Sequence, residues 1–130
     1  MRVLVVGMPG SGKTTWVQEH LGDGLAYDLD FLAGALRCRG PHEEDFKPAH
    51  RMANDFLHGF LAKAEDYAKD VFVIRCAPSL EELEAIEPDV LVICKTRKIE
   101  RKFVMPYADQ RLQALLRYAR ETGIEILETE

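Results

Sequence analysis

The sequence predicts an α/β domain built on a five-stranded parallel sheet. Two observations carry that prediction. Short apolar runs rich in β-branched residues alternate along the chain with amphipathic stretches at helical spacing. The connections between them are short and hold Gly, Pro and Asp, the residues that punctuate elements. A third observation bounds it: 130 residues, 47% apolar and 30% charged, suit one domain at 1–130 with no linker, repeat or low-complexity tract.

The elements follow in order. Arg2 to Val6 is an unbroken apolar run ending at Gly7, which suits a strand buried on both faces. A helix is expected from Lys13 to Leu21, closed by Gly22-Asp23-Gly24. Leu25 to Leu29 reads as a second strand ending in Asp28-Leu29-Asp30, and Phe31 to Cys38 as a short helix with Asp30 as N-cap. Residues 40–44 read as a loop. A long helix from Pro48 to Lys69 carries Met52, Phe56 and Phe60 together with Leu57, Leu61 and Ala64 as its apolar stripe, with His50, Asn54 and His58 on another face.

Val71 to Ile74 is a third strand. Ser79-Leu80-Glu81-Glu82 is a capping box that opens a helix to Ile86, and Val90 to Cys94 is a fourth strand. Pro106 opens the last helix, with the stripe Ala108, Leu112, Leu115, Leu116 and Ala119 and Gly123 at its C-terminus; Ile124 to Leu127 is a fifth strand.

Net charge is −5 at a pI near 5.4, which argues against a chain that coats duplex nucleic acid or an anionic membrane. The charge is uneven. Residues 95–120 hold Lys95, Arg97, Lys98, Arg101, Lys102, Arg111, Arg117 and Arg120 against Glu100 and Asp109, so this segment is +6 and the rest −11. The apolar run Val3 to Val6 is too short for a secretory or membrane segment. Three cysteines without CxxC spacing predict free, buried thiols in a reducing, cytoplasmic compartment. His50 and His58, eight apart, do not form a metal pair, and His42 sits in an acidic loop.

The strongest chemical signal is Gly7-Met8-Pro9-Gly10-Ser11-Gly12-Lys13-Thr14, followed by Thr15. It fits GxxxxGK[ST] between a strand and a helix, as a phosphate-binding loop requires. Glycines let successive N–H groups turn toward a phosphate, and the helix N-terminus adds partial positive charge. Lys13 is placed to reach β- and γ-phosphates, and the Thr14 hydroxyl to ligate Mg²⁺.

Pro9-Gly10-Ser11-Gly12-Lys13-Thr14-Thr15-Trp16 resembles the PGSGKSTW loop of small P-loop kinases, with Thr14 where that form has Ser. It is similar to the 5′-kinase domain of polynucleotide kinases and to phage-type P-loop kinase-like ATPases. The resemblance implies a three-layer P-loop NTPase fold of strand order 2-3-1-4-5. It further implies a basic, arginine-bearing lid after the fourth strand, at about 95–105, where five of eight residues from Lys95 to Lys102 are cationic. Arg97 and Arg101, four apart, would share a helical face; Lys98 and Lys102 are equally spaced. Asp28-Leu29-Asp30 resembles the acidic element whose aspartate activates the acceptor hydroxyl in those kinases.

No Walker-B acid closes the third or fourth strand, which end in Arg75 and Cys94-Lys95. Asp28 and Asp30 are therefore the acids expected at the C-terminal edge of the sheet, where α/β folds bind ligands. Two residues apart on a strand, they would share a face, one assisting Mg²⁺ and the other taking a proton. Arg75 would hold a phosphate or pair with one of these aspartates.

Two functions remain open. One is an ATP-dependent kinase that moves the γ-phosphate to a nucleotide, nucleoside or nucleic-acid 5′ end, an acceptor class implied by the resemblance. The other is a nucleotide-binding module or ATPase with a regulatory or accessory role. The Asn-Lys-x-Asp motif of GTPases is absent, which favours ATP over GTP.

Overall fold

A computed structural model describes residues 1–8, 10–95 and 108–129. The chain runs β1 (Arg2–Val6), α1 (Lys13–His20), β2 (Leu25–Asp28), α2 (Leu29–Ala35), α3 (Lys47–Tyr67), β3 (Val71–Arg75), α4 (Leu80–Ile86), β4 (Val90–Cys94), α5 (Ala108–Thr122) and β5 (Glu125–Thr129). The five strands form one parallel sheet in the order β2-β3-β1-β4-β5, as expected.

Strand handedness decides where the helices lie. The step from β1 to β2 runs outward in one direction across the sheet, and every later step runs the other way. Right-handed crossovers then put α1 alone on one face and α3, α4 and α5 on the other. The core divides accordingly. Val3, Val5, Phe72, Val92 and Val17 pack under α1. Leu4, Val6, Val73, Leu91, Leu57, Leu83 and Leu115 pack on the opposite face. Leu4 stands level with Val73 on one side and Leu91 on the other, so the central strand is sealed on both faces and both edges. Each such fully buried aliphatic side chain contributes roughly 1.5–3 kcal/mol.

Local chemistry sets the helix ends. Ser79 Oγ accepts from Glu82 N at 3.2 Å, the expected capping box of α4. Gly123 takes a positive φ of 76° where α5 turns into β5. Helix α2 begins two residues earlier than expected, and its N-cap is Asp28 rather than Asp30, which lies inside the first turn. The two aspartates therefore do not share a strand face: one ends the strand and the other belongs to the helix.

The α3 stripe also divides. Leu57, Leu61 and Ala64 are buried, whereas Met52 and Phe56 are 53% and 44% exposed. Of the cysteines, Cys94 is buried, Cys76 partly so and Cys38 exposed, so the expectation of three buried thiols fails at Cys38. Among the described residues no helix is long and apolar enough to cross a membrane.

Candidate phosphate-binding site

The site lies at the C-terminal edge of the sheet, where β1 leaves the core and turns into α1. Gly7 starts the turn in a space no side chain fits: a Cβ there would stand 2.6 Å from Ser11 Oγ and 2.7 Å from the Cys94 carbonyl oxygen. Gly12 caps α1 in the left-handed region, at φ 85°, and supplies no side-chain hydrogen bond. The N–H groups of the first turn of α1 are thus left to an anion, in a field that favours one. Ser11 Oγ is buried and has no hydrogen-bond partner among the described residues, as a group awaiting a ligand oxygen would be.

Lys13 folds back over this loop. Its Nζ donates to the Gly7 carbonyl at 2.7 Å and the Met8 carbonyl at 3.1 Å. Burial lowers the pKa of the ammonium from its ordinary value; the groups pulling it back up are Cys76, Cys94, Asp28 and Asp30. In turn, burial raises the thiol pKa of Cys76 and Cys94, and the nearby Lys13 opposes that shift.

Asp28 joins three elements. Its Oδ2 accepts from Thr14 Oγ1 at 3.0 Å, and its Oδ1 accepts from the backbone N–H groups of Asp30 at 3.0 Å and Phe31 at 3.4 Å. One carboxylate so caps α2 and fixes the Thr14 hydroxyl. The pair is a set of hard oxygen donors, of the kind Mg²⁺ takes together with substrate phosphates. Asp30 is bracketed by histidines, with His42 Nε2 at 3.7 Å and His50 Nε2 at 3.6 Å. His50 Nδ1 lies 3.1 Å from the Phe46 carbonyl, which fixes the ring with Nε2 toward Asp30.

A cavity of about 670 Å³ gathers Lys13, Thr14, Asp28, Asp30, Arg75 and Arg111. Of the two expectations for Arg75, pairing with an aspartate is not what the structure shows. Arg75 donates to Glu82 Oε2 at 2.5 Å and Asn54 Oδ1 at 3.1 Å, so α4 and α3 aim it along the cavity wall. Arg111 reaches in from α5 and donates to the Ala77 carbonyl at 3.1 Å. Sequence reasoning counted Arg111 only as part of a basic segment; its place at the start of α5 was the available signal.

The structure thus brings together Gly7, Gly10, Ser11, Gly12, Lys13, Thr14, Thr15, Asp28 and Asp30 at one edge. Pro9 and the expected lid residues Arg97, Lys98, Arg101 and Lys102 lie outside the described residues. Lys95, at the start of that segment, pairs with Glu128 of β5 at 3.0 Å. Trp16, which carried part of the resemblance, packs α1: its ring stacks on His20 with centroids 4.0 Å apart and meets Phe72 edge-on at 6.3 Å.

Strand order and loop together are those of the P-loop NTPase fold. No protein-family model matches the chain, and no curated protein matches it. Among solved structures it is similar to shikimate kinase from Acinetobacter baumannii in complex with shikimate, at 17% identity and a TM-score of 0.47, covering 99% of this chain and 82% of that one.

Proposed function

We propose that the chain is an ATP-dependent phosphotransferase: it binds ATP with Mg²⁺ and moves the γ-phosphate to a hydroxyl acceptor. The observation that carries this reading is the Thr14–Asp28 hydrogen bond of 3.0 Å beside a loop whose lysine and helix N-terminus face one cavity.

In this reading the backbone of 7–15 and Lys13 hold the phosphates, and Thr14 and Asp28 hold Mg²⁺. The bound cation supplies charge neutralisation on the phosphate oxygens. Asp30 accepts the acceptor's proton, with His50 and His42 keeping its carboxylate turned into the cavity. Arg75 and Arg111 offset charge that develops on the transferring group. A nucleotide, nucleoside or nucleic-acid 5′ end is the acceptor class that the loop's resemblance implies.

The absence of a carboxylate at the ends of β3 and β4 favours a second reading, a nucleotide-binding module or ATPase without a small-molecule acceptor. Labelled γ-phosphate from ATP, offered to a panel of hydroxyl acceptors, separates the two. A kinase yields a labelled acceptor, and Asp30→Asn lowers the transfer rate by about 10²–10⁴ while ATP affinity holds. Unchanged transfer removes Asp30 as the base. Bound ATP with no labelled product from any acceptor establishes the second reading.

A further inference from the structure

A second cavity, of about 760 Å³, lies between α1, the outer edge of β2 and the α2–α3 pair. It is of the size that encloses a small organic ligand. Its walls are Phe31, Phe56, Phe60, Leu32 and Leu21, with Gly59 of α3 leaving open space at its side. Phe31 and Phe56 stand 45% and 44% exposed around this one concavity, an arrangement that costs free energy unless something covers them.

Two features say what would cover them. First, the cavity is continuous with the phosphate site, because Thr14, Asp28 and Ile74 line both. A molecule seated against the phenylalanines can therefore present a group at the Thr14–Asp28 junction. Second, its charge has one sign. Asp28 and Asp55 line it, and among the described residues no Lys, Arg or His does. With Asp28 committed to Mg²⁺ in the phosphotransferase reading, Asp55 is the carboxylate a phosphorylated body would meet, and among the described residues no cation offsets it; a neutral or ammonium-bearing body meets no such penalty.

We infer that this cavity holds the body of the phosphoryl acceptor, and that the acceptor is an alcohol with an aromatic or aliphatic, neutral or cationic body. The inference rests on the phosphotransferase reading and narrows it: nucleotides and nucleic-acid ends are the disfavoured members of the implied class. In the step itself the acceptor oxygen bonds to the γ-phosphorus and the bond from that phosphorus to the β–γ bridging oxygen breaks. ADP leaves with the electron pair, and the hydroxyl proton passes to the Asp30 carboxylate.

Gly59→Leu is the decisive variant. The position is helical and a Cβ there meets nothing within 4 Å, so leucine enters the cavity without strain and improves helix propensity. Phenylalaninol and 4-phenylbutan-1-ol are the probes, with thymidine 5′-monophosphate and a 5′-hydroxyl oligonucleotide as charged competitors. Binding of each is read by amide chemical shifts, transfer by label from γ-labelled ATP, and ATP affinity by calorimetry. The expected result is transfer to the aryl alcohols in preference to the charged acceptors, weakened about tenfold or more by Gly59→Leu through KM, with MgATP affinity unchanged.

Preference for the charged acceptors overturns the inference and leaves the kinase reading intact. So does undiminished aryl-alcohol transfer in Gly59→Leu. Aryl-alcohol binding without transfer, or no binding while MgATP still binds, overturns the acceptor assignment. Failure of the wild type to bind MgATP overturns the phosphotransferase reading itself.

Discussion

Lys13, Arg75 and Arg111 line the cavity under the loop; Phe31, Phe56 and Phe60 line the one beyond β2, with no cation among its described residues. The two share a wall at Thr14 and Asp28. One region concentrates donors and positive charge, as a triphosphate requires. The other offers dispersion and burial, with Asp28 and Asp55 as the charged members of its described lining. The difference teaches that one helix can shape two chemically unlike cavities: the first turn of α1 serves one and its flank, Val17 to Leu21, the other.

Asp28→Ala should break both regions at once and have the largest effect. It removes the α2 cap, worth about 0.5–2 kcal/mol, and frees the Thr14 hydroxyl. Thermal or denaturant unfolding should show the stability loss, and nucleotide titration should lose its dependence on Mg²⁺. Asp28→Asn, which can still cap, should recover most of the stability and little of the Mg²⁺ dependence. Equal recovery of both would mean that the carboxylate is only a cap.

Glu82→Gln should touch the polar region alone. It replaces an ion pair with a neutral hydrogen bond while Asn54 still holds Arg75, so about 1 kcal/mol of stability is at stake. Urea unfolding measures it, and binding of phenylalaninol should not change. A parallel loss there would show that the two regions are one.

The smallest expected effect is a proton. Burial lowers the pKa of Lys13 from its ordinary 10.5, and bound phosphate oxygens favour the cation and raise it again. In the pH range between the lowered and the raised value, ATP binding takes up a proton. Calorimetry in two alkaline buffers of unequal ionisation enthalpy reads the difference as a fraction of a proton. Proton release at alkaline pH would contradict the assignment of Lys13.

The sheet and the loop were legible because their signals are local. A β-branched run, a glycine turn and a helix starting at Lys13 lie within about twenty consecutive residues, and parallel order follows from alternation. The acidic pair was legible only in part. Asp28 and Asp30 both have cap chemistry, and which of them ends the strand depends on where β2 stops pairing with β3, at Asp28 opposite Ile74. The Arg75–Glu82 pair depends on how α4 docks, His42 beside Asp30 on where the 40–46 loop lies, and His50 on how α3 packs against α2; none is written in spacing. The second cavity was least legible. Phe56 and Phe60 recur at the same interval as Leu57 and Leu61, and periodicity alone does not say which of two adjacent stripes finds a partner.

Everything proposed for either cavity rests on the loop holding a triphosphate through Lys13. Calorimetric titration of the wild type and Lys13→Ala with MgATP tests that most directly. The expected result is saturable binding of one nucleotide per wild-type chain, weakened about hundredfold in Lys13→Ala as a partly buried cation is lost. No saturable binding by the wild type, or equal affinity in the two proteins, would contradict it.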